Sequence, residues 1–259
     1  EEDRGSEMDA HGAYPTAGAV SAARPRRSAS AYNRTVTPQS PASSGRHDPH
    51  QGVVIHHLGP EPADARLSVI MLHGRGASAA DILGLADELG LDDIAYLAPE
   101  AAGREWYPRT FLAPIDQNEP NLSSALRLVA TIVETLGEAG VGADRVGLIG
   151  FSQGACLSLE FVVRHPRRYA VVGALSGGLI GPPGSSWPDA GPLDGTPVFI
   201  GCSDVDPHIP LARVRESADI FRRRGADVDE RIYPRMGHTV NRDELDALRA
   251  LLASSMEPR

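Results

Sequence analysis

The chain has 259 residues, 41% of them apolar, enough for one substantial core in either one large α/β domain or two small ones. Its 34 acidic residues outweigh 25 basic ones, all arginine, and the net charge of −9 argues against nucleic acid as a partner, since phosphate binding wants a basic face. No run approaches the roughly 18 apolar residues of a membrane span, and two cysteines in apolar surroundings fit a reducing compartment, so the expected location is cytoplasmic.

Residues 1–50 are rich in Ala, Ser, Pro, Gly and Arg and poor in large apolar side chains. Such a segment buries too little surface to offset its ordering entropy and reads as a disordered or loosely attached tail. From Gln51 the texture changes to short β-rich runs at 52–58, 67–73, 94–99, 145–150, 169–176, 196–203 and 228–234. Helical patterns lie between and after them near 78–90, 121–139, 153–165, 210–224 and 241–255, punctuated by Pro166, Gly225 and a capping Asn241. Near-continuous apolar strands alternating with helices predict a mostly parallel sheet of about seven strands, covered on both faces. The expected organisation is therefore a single α/β domain over 51–259.

In such a sheet ligands gather at the carboxyl ends of the strands. Three of those ends carry reactive side chains. The first is "RVGLIGFSQGACLSLEFVV", 145–163, in which a strand ends, Ser152 stands between Gly150 and Gly154, and a helix begins. This is the context of a nucleophile elbow, where the strained turn demands small neighbours and aims the Gln153 amide at a developing oxyanion. The second end is "DVDPHIP", where Asp204 and Asp206 both qualify as the acid that orients a histidine, and spacing does not choose between them. The third is "YPRMGHTVNRDEL", which places His238 after the last strand. Imidazole titrates near neutrality and suits a general base.

The turn "HGRGASA" fits a different pattern as well. Gly74, Gly76 and Ala79 match G-x-G-x-x-A, and Glu100 at the next strand end stands where a ribose ligand belongs, so a dinucleotide site is an alternative. That alternative leaves Ser152 and His238 without work. As the second half of an oxyanion hole the same turn brings the Arg75 amide to face that of Gln153. A binding module of the same fold without turnover is a further alternative.

Together "LHGRGASAADIL", "GFSQGACLSLEF", "DPHIP" and "MGHTV" resemble the phospholipase/carboxylesterase family of α/β-hydrolases, which includes acyl-protein thioesterases. The resemblance spans about Leu67 to Leu252. It implies Ser152 as nucleophile, His238 as base and Asp206, four positions before Pro210, as the acid, with Arg75 and Gln153 as amide donors. It implies cleavage of acyl esters, with thioesters and lysophospholipids as variants, and no metal or organic cofactor; the short segment after Ser176 is what sets the expected acyl size at small to medium. One departure is Pro108 in "EWYPRTF", where many members carry an acid; Trp106 and Tyr107 are still expected to wall the substrate pocket. Only about twenty residues separate the strand ending at Ser176 from the next, too few for a cap domain. Trp187 in that segment is expected over the mouth of an open site. The Gln153 side chain is expected to tolerate change, since only its amide has a role.

Overall fold

The structure is a computed structural model, and it describes residues 32–34, 48–187 and 190–257. Strands β1 (Tyr32–Arg34), β2 (Ile55–Leu58), β3 (Leu67–Leu72), β4 (Ile94–Pro99), β5 (Val146–Phe151), β6 (Val172–Leu175), β7 (Pro197–Ser203) and β8 (Asp227–Tyr233) form one sheet. Its order is β1-β2-β4-β3-β5-β6-β7-β8. The pairs β1–β2 and β2–β4 are antiparallel and the rest are parallel. All seven strands expected from the sequence are present. The eighth, β1, pairs Tyr32–Arg34 with Ile55–His57 at the edge.

Helices α1 (Ala79–Leu89) and α5 (Arg242–Ser255) cover one face of the sheet. Helices α2 (Asn121–Glu138), α3 (Gln153–Arg164) and α4 (Leu211–Arg223) cover the other. Burial on both faces is why β3 is apolar at nearly every position instead of alternating. Helix α3 is buried at every residue but Arg164, and Leu157, Leu159, Phe161, Val162 and Val163 each contribute about 1.5–3 kcal/mol of burial. That packing fixes the axis of the helix that begins at Ser152. Helices α1 and α5 start with reciprocal caps, Ser78 with Asp81 and Asn241 with Glu244.

The expectation of a loose tail over 1–50 falls mostly outside the described residues. Where it does not, the chain is tied to the domain. Asp48 bonds the Ser124 hydroxyl and the Arg127 guanidinium of α2. His50 is buried, its backbone amide donating to Ser124 Oγ at 2.8 Å. Composition over a fifty-residue window could not register two anchored residues at its end.

Candidate active site

Ser152 follows β5 directly and holds φ 53°, ψ −118°, a conformation that an L-residue adopts only under constraint. The constraint is the close approach of three backbones. A Cβ on Gly150 would run into the carbonyl of Gly154, and one on Gly154 into the carbonyl of Leu72 at the end of β3. The glycines on either side of Ser152 therefore let α3 start hard against the sheet, with the serine at the apex.

The loops after β7 and β8 bring the other two side chains to it. Ser152 Oγ lies 2.8 Å from His238 Nε2, and His238 Nδ1 lies 2.7 Å from Asp206 Oδ2. The Asp206 carboxylate is fully buried and also accepts from the amides of His208 at 2.8 Å and Ile209 at 3.0 Å. Burial pushes its carboxyl upward, but the bond from His238 and the two amides outweigh it and hold the group below its ordinary value. The His238 ring stands between Phe151 and His208, with centroids 5.0 and 4.9 Å away, which fixes its plane. Asp204, the other acid in the motif, accepts from the Arg235 amide at 2.7 Å and shapes the loop before His238. Cys202 Sγ lies 3.9 Å from Asp206, yet burial lifts its thiol to about 12, as burial also does for Cys156, so neither is a thiolate rival to the serine.

Opposite Ser152 stands the turn after β3. A Cβ on Gly74 would sit 3.5 Å from Ser152 Cβ, so this turn touches the elbow. Among the described residues no backbone acceptor takes the amide of Arg75 or of Gln153. His73, just before the turn, donates from Nδ1 to the Gly74 carbonyl at 2.7 Å and accepts the Ala101 amide at 3.1 Å through Nε2. Burial lowers its pKa, in keeping with the neutral ring that this bonding requires.

The aromatic residues expected to wall the pocket have other work. Trp106 and Tyr107 are 0% and 1% exposed and offer no face to a substrate. Trp106 packs between the rings of His50 and His73 and donates from Nε1 to the His73 carbonyl at 2.8 Å. Trp187 is not brought to the serine either. It donates to Glu160 Oε2 at 3.0 Å, under the Arg213 guanidinium, two turns of α3 or about 12 Å beyond Ser152. There it lines a separate cleft of about 350 Å³ with Ile115, Val163 and Ile180. The Gln153 side chain, expected to be dispensable, is buried; it accepts the Trp106 amide at 2.8 Å and donates to the Tyr107 carbonyl at 2.8 Å. No sequence signal marked that role, because the motif predicts only the backbone of the residue after the nucleophile.

The dinucleotide alternative fails at the start of α1. A pyrophosphate would need the free amides there, but the Glu100 carboxylate accepts the Ala79 amide at 2.7 Å and the Ser78–Asp81 cap takes the next donors. A second anion has no place beside that carboxylate.

A strand-to-helix elbow on a mostly parallel sheet, with a histidine and an acid on the following strand ends, defines the α/β-hydrolase class. Within it, the chain belongs to the phospholipase/carboxylesterase family, whose model matches residues 60–256. A solved phospholipase/carboxylesterase from Dyadobacter fermentans is 41% identical, covers 77% of this chain and 95% of its own, and superposes with a TM-score of 0.74. The acyl-protein thioesterase 1 of Gibberella zeae is 31% identical over 126 residues, 47% of this chain and 53% of that protein. The chain thus spans about half the length of that relative. A rice protein (Oryza sativa subsp. japonica) named a probable inactive carboxylesterase is 26% identical over 72% of this chain and 85% of its own. The family is described as one of phospholipases and carboxylesterases. Among the described residues no helix is long and apolar enough to cross a membrane.

Proposed function

We propose that the protein is a serine hydrolase that cleaves small to medium carboxylic esters or thioesters through an acyl-enzyme on Ser152. The observation that supports this most is the unbroken line of bonds from Ser152 Oγ through the His238 ring to Asp206. His238 takes the serine proton as Oγ attacks the carbonyl carbon, and Asp206 holds the imidazole with Nε2 toward the serine and stabilises its charge. The oxyanion forms between the amides of Arg75 and Gln153, each worth about 2.7–4 kcal/mol in comparable sites. His238 then returns the proton to the leaving alcohol or thiol. Water, activated by the same histidine, attacks the acyl-enzyme, releases the acid and restores Ser152. Every proton in the cycle moves through Nε2, and no step calls for a metal or organic cofactor. The two buried, unpaired thiols suit a reducing compartment, and we place the protein in the cytoplasm.

The test is paired. Wild-type protein is expected to hydrolyse p-nitrophenyl butyrate and to take up one fluorophosphonate at Ser152, while Ser152→Ala does neither. A relative named inactive makes binding without turnover the reading to beat. Thermal stabilisation by an ester that is never hydrolysed, with no labelling of wild type, would establish that reading instead.

A further inference from the structure

Arg75 and Gln153 carry the two amides assigned to the oxyanion, and their side chains end in one loop, residues 104–109. Gln153 accepts the Trp106 amide and donates from Nε2 to the Tyr107 carbonyl, both at 2.8 Å. Arg75 donates from Nη2 to that same carbonyl and to that of Arg109, both at 2.7 Å. Its Nη1 reaches the Pro108 carbonyl at 3.2 Å and pairs with Glu105. Tyr107 O is therefore a common acceptor, with one donor from each half of the oxyanion site.

The backbone adds a tie on either side of the Arg75 amide. His73 O accepts from Trp106 Nε1 and the Gly76 amide donates to Arg104 O, both at 2.8 Å. The loop is braced from behind as well. His50 donates to Trp106 O at 3.0 Å and accepts the Ala102 amide at 3.1 Å, while Asn118 accepts the Arg109 amide at 2.8 Å.

The two amides belong to separate bodies. One opens α3, whose packing holds it. The other sits in a turn between Gly74 and Gly76, the latter at φ +74°, where the backbone has little stiffness of its own. Beyond one bond of its own, from the Ala77 amide to the Gly74 carbonyl at 3.2 Å, what fixes the turn comes from outside it. We propose that the Tyr107 carbonyl is a bridge that sets the spacing of the two oxyanion donors, which makes the side chains of Arg75 and Gln153 positioning residues for hydrolysis. This rests on the serine hydrolase reading above. The guanidinium fork meets three carbonyls and a carboxylate in a fixed plane, which a lysine ammonium does not reproduce. Gln153 supplies an acceptor to the Trp106 amide and a donor to the Tyr107 carbonyl, so a methionine of similar volume fills its space and makes neither bond.

The experiment measures kcat and KM on p-nitrophenyl butyrate for wild type, Arg75→Lys, Gln153→Met and the double variant, with active sites counted by complete fluorophosphonate titration. Each single change is expected to lower kcat about 10- to 100-fold with KM within about twofold, because a displaced donor fails only the transition state. The double variant is expected to be no slower than about the worse single, since either cut releases the same bridge. A second-order labelling rate that falls in parallel with kcat supports the proposal, because the phosphonyl oxygen uses the same donors. Arg75 is 41% exposed, so its substitution opens no core cavity and decides the matter even if Gln153→Met unfolds.

Single variants that keep kcat within about threefold, or costs that multiply in the double, overturn the bridge. If wild type labels at Ser152 and turns over while the variants match it, only the bridge is lost. A wild type that neither labels nor hydrolyses removes the serine hydrolase reading and the bridge with it.

Discussion

Glu244, on the first turn of α5, is a carboxylate with no exposed surface. Its Oε2 accepts the Asn241 amide at 2.8 Å, while Oε1 has no partner among the described residues and lies where a Cβ on Gly201 of β7 would fall. Burial raises its pKa from 4.5 to about 7; the Asn241 amide opposes this and the nearby Asp243 charge adds to it. The folded state therefore holds a proton that the unfolded chain releases earlier. Its contribution to stability is full below pH 4.5 and is lost as pH rises through about 7. At 1.36 kcal/mol per pH unit, the loss is on the order of 3 kcal/mol. Gln at this position keeps an oxygen for the Asn241 amide and carries no charge to bury. Buried His50 and His73, both lowered below 6.5, tilt the curve the other way, since their stability is lost as pH falls. They are common to both proteins and cancel in the difference. Urea unfolding at pH 5 and pH 8 is expected to show wild type losing on the order of 3 kcal/mol relative to Glu244→Gln over that interval. Parallel curves, differing by less than about 1 kcal/mol, would refute the buried proton.

Ser152→Gly is expected to abolish ester turnover and yet raise stability by about 1 kcal/mol, because glycine meets φ 53° without a Cβ penalty; an unchanged or lower melting temperature counts against strain at the elbow. Asp206→Asn is expected to lower kcat about 10⁴-fold with KM little changed, since the new amide favours the wrong imidazole tautomer; a loss under about tenfold removes Asp206 from its role. The same change should flatten acid unfolding. The lowered Asp206 carboxyl stabilises the fold above its ordinary 3.8, and that stability goes as pH falls through the folded value. Gly154→Ala is expected to cost about 3 kcal/mol in urea unfolding, because the new methyl meets the Leu72 carbonyl; a near-neutral result would mean that α3 can back away from the sheet.

Periodicity and punctuation were enough to read the strands from 52 to 234 and the five α-helices of the described residues, since each element buries an apolar face that the pattern reveals. The order Ser, Asp, His along three strand ends was equally legible, and those three side chains meet after β5, β7 and β8. Burial of polar groups was not legible. Glu160, Arg213 and Glu244 look like surface residues in sequence, but they are enclosed, with Glu160 and Arg213 pinning the segment after β6. Trp106, Tyr107 and Trp187 show the same limit from the apolar side. An aromatic ring in a loop can wall a pocket or wedge a core, and only its partners decide. Gln153 shows this limit for a polar side chain, since a motif describes the backbone it needs and is silent on what the side chain grips.

The anchoring of Asp48 and His50 bears on how this protein should be handled. A boundary drawn by composition at Gln51 would keep the serine, histidine and acid and discard the ring that backs Trp106. Fragments begun there lose the edge strand β1 from the sheet, and the turn that faces Ser152 loses its outer buttress. Trimming for crystallisation or expression should therefore leave everything from Tyr32 onward in place, and activity lost on shortening to Gln51 would implicate this buttress or the edge strand before the side chains around Ser152.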